Sequence, residues 1–553
     1  MSQDTDVRAA DPVLGRMADA ILIPPFPGTA APGWVLDALG RGLAGVTLFG
    51  QNISAPGQVS ALTAALREAA AGDAPVLAID EEGGDVTRVA YVDGSPYPGN
   101  AALGMVDDTA LTRAVHQAIG ADLAALGINF DMAPCADVLG AADSPAIGTR
   151  SFGADTGLVS RHTAAAVAGL QDAGVAACTK HFPGHGRTGT DTHEAIATIE
   201  GGLADLRLVD LPPFEAAIKA GTVAIMPSHL RVPELTGDLP ASVSAAALTG
   251  LLRGELGFTG VIVSDALEMR ATRDTYGIPG AAVLAVAAGT DLLCLGREGS
   301  EDDYLAVREA LVAAVRDGTL DGERLEEAAD RVARLRGGLA RARSAAPAAA
   351  GVSSDSAGPV GAGPVGAGLV GAGSAGAGPV GSGLGRVGPA VGLIAARRAV
   401  QVSGPRRTLS HPVIIEVEPR ENIAAGRFGW GLGPWAPDGS VHRVSASGRL
   451  LNGAGLGPAD DAASAAGPGP VDAAGILAAA AGRSLVAVVR DAHRDEQTRS
   501  LVSALLAARP DLILVEMGLP FWRPPEGTSY LATYGASRAS AYAAAEMLGL
   551  APA

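Results

Sequence analysis

From about residue 20 onward, short apolar runs alternate with Ala-rich stretches of helical character. The runs fall at 20–23, 46–49, 76–80, 128–134, 176–182, 224–229, 261–265 and 291–295. Eight such runs, each followed by a helical segment, predict eight parallel strands with crossover helices, closing into a (β/α)8 TIM-type barrel. Several runs end on polar or ionisable residues: Asp80, Asp131, Lys180 with His181, His229 and Asp265. In such a barrel the C-terminal strand ends share one mouth, so these endings gather functional groups around a single opening. Any one of them alone is equally well a solvated strand end, and it is their recurrence that carries information.

Two charged helical stretches, 302–316 and 323–343, complete the barrel and bound a first unit at 1–343. Residues 344–390 are built from Gly, Ala, Pro, Val and Ser with an irregular GPVGA-like repeat. Such a segment has too little bulk to bury a core and reads as a flexible linker. Patterning resumes over 391–553, with strand-like runs at 413–417, 485–489, 512–515 and 530–534 and helical stretches at 498–508 and 537–548. This predicts a second, smaller α/β domain, an αβα sandwich on an open parallel sheet.

Composition sharpens the picture. A chain of 553 residues is too long for one ordinary core, which agrees with two folded units. The formal charge of −18 argues against nucleic acid and anionic membrane as partners, because those surfaces demand clustered Lys and Arg. Cys135, Cys178 and Cys294 are far apart and form no CxxC pair, so a reducing compartment is the simpler reading. The start, Met1-Ser2-Gln3-Asp4-Thr5-Asp6, lacks a basic and apolar leader, and no apolar run reaches membrane-spanning length. A soluble, cytoplasmic monomer is expected.

The densest chemistry lies in Lys180-His181-Phe182-Pro183-Gly184-His185-Gly186, followed by Asp191-Thr192-His193. A strand delivering Lys-His, a Pro-Gly turn and an Asp-x-His group on the ensuing loop bring several donors to one small ligand. His181, His185 and His193 also invite a metal. However, the first two flank Pro183-Gly184 and so do not share a helix face as zinc-binding histidines do. No metal and no cofactor are expected; histidines that merely pack or cap a loop are the remaining alternative. A second segment runs Gly257-Phe258-Thr259-Gly260-Val261-Ile262-Val263-Ser264-Asp265-Ala266-Leu267-Glu268-Met269 and sets one carboxylate at a strand end. A lone Asp there is as readily a helix cap, so its meaning depends on its company.

That company comprises Asp80-Glu81-Glu82-Gly83-Gly84-Asp85-Val86-Thr87-Arg88, Gly148-Thr149-Arg150-Ser151-Phe152-Gly153 and Met226-Pro227-Ser228-His229. With these together, the region from about residue 20 to 343 resembles the bacterial β-N-acetylglucosaminidases of glycoside hydrolase family 3. The sharpest element is the Lys-His-Phe-Pro-Gly-His-Gly run followed by Asp-Thr-His. The resemblance implies a retaining hydrolase that removes terminal β-linked N-acetylglucosamine through a covalent glycosyl-enzyme. Its substrate would be a small carbohydrate, an N-acetylglucosaminide or a muropeptide fragment of peptidoglycan. Carried over residue by residue, the nucleophile is Asp265, the acid/base His193, and its orienting partner Asp191. Asp80, Arg88, Arg150, Lys180 and His181 are the implied holders of the sugar hydroxyls.

Retaining cleavage needs a carboxylate at the anomeric carbon and a separate proton donor at the leaving oxygen. A histidine, with an unperturbed pKa of about 6.5, can serve as that donor near neutrality. Two departures from the family pattern stand out. Ala266 replaces the usual second acid after the nucleophile, and Asp85 stands where a basic residue often follows Gly-Gly. The alternatives are a family 3 β-glucosidase or β-xylosidase, an N-acetylglucosaminide phosphorylase, and a non-catalytic sugar-binding barrel.

Overall fold

A computed structural model of the chain describes residues 12–72, 74–140, 144–189, 196–199, 201–345, 388–419, 431–437, 440–446, 448 and 473–551. Asp191, His193 and most of the expected linker lie outside the described residues.

All eight anticipated barrel strands are present: β1 Leu22–Ile23, β2 Gly45–Leu48, β3 Val76–Ile79, β4 Phe130–Asp131, β5 Ala176–Phe182, β6 Ala224–Pro227, β7 Val261–Ile262 and β8 Leu293–Cys294. β2 through β7 pair in parallel in chain order. β8 pairs with β1 and is joined to β7 by a bridge between Val263 and Leu292. The seam between β1 and β2 is closed by the Ala44 N–H to Asp19 C=O bond at 3.0 Å and the Thr47 N–H to Pro24 C=O bond at 3.2 Å. The strands are mostly apolar and buried along their length, as parallel strands covered on both faces must be, with polar residues such as Lys180 and His181 near the C-terminal end of β5.

The surrounding helices start where their sequences allow. Asp108 and Asp155 cap the helices Thr109–Ala125 and Thr156–Asp172 by accepting the N–H of Leu111 and Leu158. The last barrel helices, Glu301–Asp317 and Gly322–Ala345, occupy the two charged stretches noted in the sequence. Among the described residues no helix is long and apolar enough to cross a membrane.

Between the helices Thr109–Ala125 and Thr156–Asp172 sits His116, 1% exposed. One ring nitrogen meets the Thr112 carbonyl at 3.0 Å, and Nε2 has no hydrogen-bond partner among the described residues. Burial pushes its pKa down to about 4. The folded state therefore binds fewer protons than the unfolded chain between about pH 6.5 and pH 4, and stability falls as pH drops through that window. The full effect is about 3 kcal/mol. Unfolding midpoints measured from pH 7 to pH 4.5 should decline less steeply in His116→Leu than in the wild type. Parallel curves would show that this ring does not titrate with folding.

The second sheet contains β9 Gln401–Ser403, β10 Val413–Val417, β11 Val441–Val444, β12 Leu485–Val489, β13 Ile513–Glu516 and β14 Ser529–Ala532. Its order is β9-β14-β13-β12-β10-β11, parallel except for the antiparallel edge strand β9. The expected strands and both expected helices are found, here as Glu496–Ala508 and Arg538–Met547. The edge strands β9 and β11 and the helix Gly388–Ala399 are additional. That helix lies against the barrel, with Arg398 paired to Asp108 at 2.8 Å.

The carboxyl ends of the second sheet face the barrel mouth. Leu519, beyond β13, joins an apolar cluster with Ala101, Cys135, Leu139 and Ile147 of the barrel loops. In the other direction, Val86 of the loop after β3 is 1% exposed within a cluster containing Ile414, Val486, Val488 and Met517. Each unit thus sends a side chain into the other's apolar interior.

Candidate active site

The loop after β3 begins with Asp80 and makes a tight turn at Gly83-Gly84. Gly84 has φ +61° and lies so close to Gly99 that a Cβ would sit 2.4 Å from the Gly99 Cα, so no side chain fits there. Glu81 turns inward, and one of its carboxylate oxygens accepts the N–H groups of Arg88 at 2.7 Å and Val89 at 2.9 Å. This fixes the backbone from which Arg88 projects. Burial raises the pKa of Glu81, against the pull of those donors.

β5 delivers Lys180 and His181. In a regular strand, neighbours point to opposite faces. Here the register with β6 shifts between Lys180 and Phe182, and both side chains reach the same group of partners. Lys180 Nζ donates to Asp80 at 2.6 Å and lies 2.8 Å from Glu82. Arg150, 8% exposed, makes a two-pronged pair with Glu82, Nε at 2.9 Å and Nη2 at 2.7 Å. Its Nη1 donates to the Ala146 carbonyl at 2.9 Å, and Nη2 lies 3.2 Å from His181 Nε2. Four of its five N–H groups are thereby committed among the described residues, which leaves little freedom for the guanidinium to tilt.

The chain of contacts continues inward. His181 Nδ1 meets Asp137 at 2.7 Å, and the same carboxylate oxygen accepts from the Cys135 thiol at 3.1 Å. With Nδ1–H donated to Asp137, His181 Nε2 is left to accept from Arg150. Burial opposes charge on Asp137 and Glu82, yet their neighbours win: His181 and His185 hold the first carboxyl well below the usual range, and Arg150 with Lys180 hold the second. Lys180 is held above its ordinary value, burial notwithstanding, by Asp80 and Glu82.

Cys135, Asp137 and His181 place ligand-type atoms within 4.8 Å of one another. Those atoms are engaged in the hydrogen bonds just described, with the Arg150 guanidinium adjoining. The arrangement reads as an orienting relay rather than a cation cage.

Asp265 follows β7, half-buried, and its Oδ1 accepts the N–H of Ala266 at 2.8 Å. His229, after β6, is held by Ser242 at 2.7 Å and meets the Ala266 carbonyl at 3.0 Å. Both backbone groups of Ala266, which stands where the family pattern has a second acid, are hydrogen-bonded. The buried thiols Cys178 on β5 and Cys294 on β8 are both pushed up, chiefly by burial and further by carboxylates that include Asp80 and Asp265, Cys294 to about 12.

Six of the eight residues singled out from the sequence are thus placed. Asp80, Lys180, Arg150 and His181 form one contact network, with Arg88 4.0 Å from Asp80 at its edge, and Asp265 follows β7 at the same end of the barrel. Asp191 and His193 lie outside the described residues. Sequence reasoning overlooked Glu82 and Asp137, which hold the cluster together. Glu82 sat inside a quoted motif without a role, and Asp137 gave no signal.

Known proteins resemble this chain in sequence and in fold. The model of the glycosyl hydrolase family 3 N terminal domain matches residues 35–335. A β-hexosaminidase of Stenotrophomonas maltophilia is 39% identical over 268 residues, covering 48% of this chain and 79% of that protein. The β-hexosaminidase LpqI of Mycobacterium tuberculosis is 36% identical over 281 residues, covering 49% of this chain and 71% of the relative. The solved family 3 β-N-acetylglucosaminidase of Paenibacillus sp. FPU-7 is 28% identical with a TM-score of 0.78, over 98% of this chain and 97% of that one. A family match that runs through the barrel, with a solved relative that follows the fold across both units, shows that this glycoside hydrolase belongs to glycosyl hydrolase family 3.

Proposed function

We propose that the protein removes terminal β-linked N-acetylglucosamine with retention of configuration. In this reading Asp265 attacks the anomeric carbon and His193, oriented by Asp191, protonates the leaving oxygen and later activates water. Asp80, Arg88, Arg150, Lys180 and His181 hold the sugar hydroxyls. The observation that carries the reading is the network of Asp80, Lys180, Glu82, Arg150 and His181 at the barrel mouth, the same end of the barrel at which Asp265 follows β7. Preset donors in a water-poor pocket hold a neutral, hydroxyl-rich ring in reactive geometry at little reorganisation cost.

The names of the relatives support the N-acetylhexosamine, since those proteins are β-hexosaminidases and a β-N-acetylglucosaminidase. We further assign the protein to the cytoplasm, acting as a monomer on peptidoglycan fragments. Release of 4-nitrophenol from the N-acetyl-β-glucosaminide should exceed that from the β-glucoside by about a hundredfold or more. Comparable rates on the two would overturn the assignment. A glycosyl phosphate as the main product in phosphate buffer would make the protein a phosphorylase.

A further inference from the structure

Asp85, the departure noted after Gly83-Gly84, is 3% exposed and accepts hydrogen bonds from both units of the protein. One oxygen takes Arg490 Nη2 at 2.7 Å and the Thr149 hydroxyl at 2.5 Å; the other takes the Ala536 N–H at 2.8 Å. Arg490 follows β12 and Ala536 follows β14, so two loops of the second sheet converge on one carboxylate of the barrel. The barrel residues around that carboxylate are the ones that aim the sugar clamp. Thr149 precedes Arg150, whose carbonyl is held by Asn100 at 2.7 Å, and Arg88 lies three residues beyond Asp85. Arg494 adds a second hold on the same loop, donating to the Ser144 carbonyl at 2.7 Å.

We infer that Asp85 is a positioning residue through which the second unit sets the placement of Arg88 and Arg150, so that sugar affinity depends on the Asp85–Arg490 contact. This rests on the proposed role of the two arginines in holding the sugar. An acidic residue suits the position because its partners are a guanidinium, a hydroxyl and a backbone N–H, all of them donors. A basic side chain here would leave two buried cations face to face. Small displacements matter at such a site, since a clamp holds its ligand only while its donors stay within hydrogen-bond reach.

The test uses the full-length chain and four variants: Asp85→Asn, Arg490→Gln, the two combined, and Arg398→Ala. The last breaks a different inter-unit pair, Arg398 with Asp108, on the barrel's helical flank. With the N-acetyl-β-glucosaminide as substrate and N-acetylglucosamine as competitor, KM and Ki should rise about tenfold in each of the first two variants. The kcat should change less than about threefold. The double variant should lose no more than either single one, because both act through one contact. Arg398→Ala should keep the wild-type KM.

Unchanged KM and Ki in both single variants would overturn the inference. So would losses that multiply in the double variant, losses that merely track the unfolding temperature, or an equal loss in Arg398→Ala. Should Asp85→Asn fail to fold, Arg490→Gln decides alone: a raised KM at the wild-type unfolding temperature supports the inference, and a wild-type KM ends it. A wild-type protein inactive on this substrate would instead sink the proposed function, and the inference with it.

Discussion

Replacing Asp265 with Ala should cut turnover by about four orders of magnitude or more, because no other group supplies the covalent bond on which the retaining route depends. The fold should hardly notice. Asp265 is half-buried and its hydrogen bond to the Ala266 N–H is a local one, worth about 1 kcal/mol. At this chain length that is about 1 °C in the unfolding midpoint. A 2-fluoro analogue of the sugar slows breakdown of the intermediate, so the wild type should accumulate an adduct that peptide mapping places on Asp265. A variant that keeps a tenth of normal turnover, or a label on another carboxylate, would remove Asp265 from the role.

The second large effect concerns His193. If its imidazole protonates the leaving oxygen, His193→Ala should slow poor leaving groups by about a hundredfold to ten-thousandfold, yet spare activated ones by comparison. A 4-nitrophenolate departs without much help. The second step still needs a base to prepare water, so the variant should give a burst of phenol followed by slow turnover. Azide, a nucleophile that needs no base, should restore turnover and yield a glycosyl azide of retained configuration. Asp191→Asn should move the profile the same way through loss of orientation and of imidazolium stabilisation. Equal losses on good and poor leaving groups, without azide rescue, would reassign His193 to binding.

What the sequence disclosed follows from the range over which its signals act. All eight barrel strands were legible because fully buried parallel strands read as uninterrupted apolar runs between helical stretches. Their ends were less so. The run 128–134 narrows to Phe130–Asp131 and 261–265 to Val261–Ile262, because apolar character continues past the last regular ladder bond. β9 was invisible: Gln401–Ser403 is three residues long and exposed, so no alternation marks it.

Lys180, His181 and Arg150 were found because family motifs surround them. Asp137 was not, since its meaning lies in His181, 44 positions away, which periodicity does not report. Asp85 was legible only as an anomaly. The partner that accounts for it, Arg490, lies 405 positions downstream in the other unit.

The paired charges at the barrel mouth bear on behaviour in brine. Asp80 and Glu82 are matched by Lys180 and Arg150, so these charges are held as close pairs. Mobile ions screen exposed charges over about 8 Å at physiological ionic strength and reach withdrawn pairs far less. Added salt therefore loosens flank contacts such as Arg161 with Asp107, which are 44% and 48% exposed. It leaves Lys180 with Glu82, at 3% and 2%, essentially as they were. On the proposed reading, affinity for a neutral sugar at the barrel mouth should therefore change little with ionic strength.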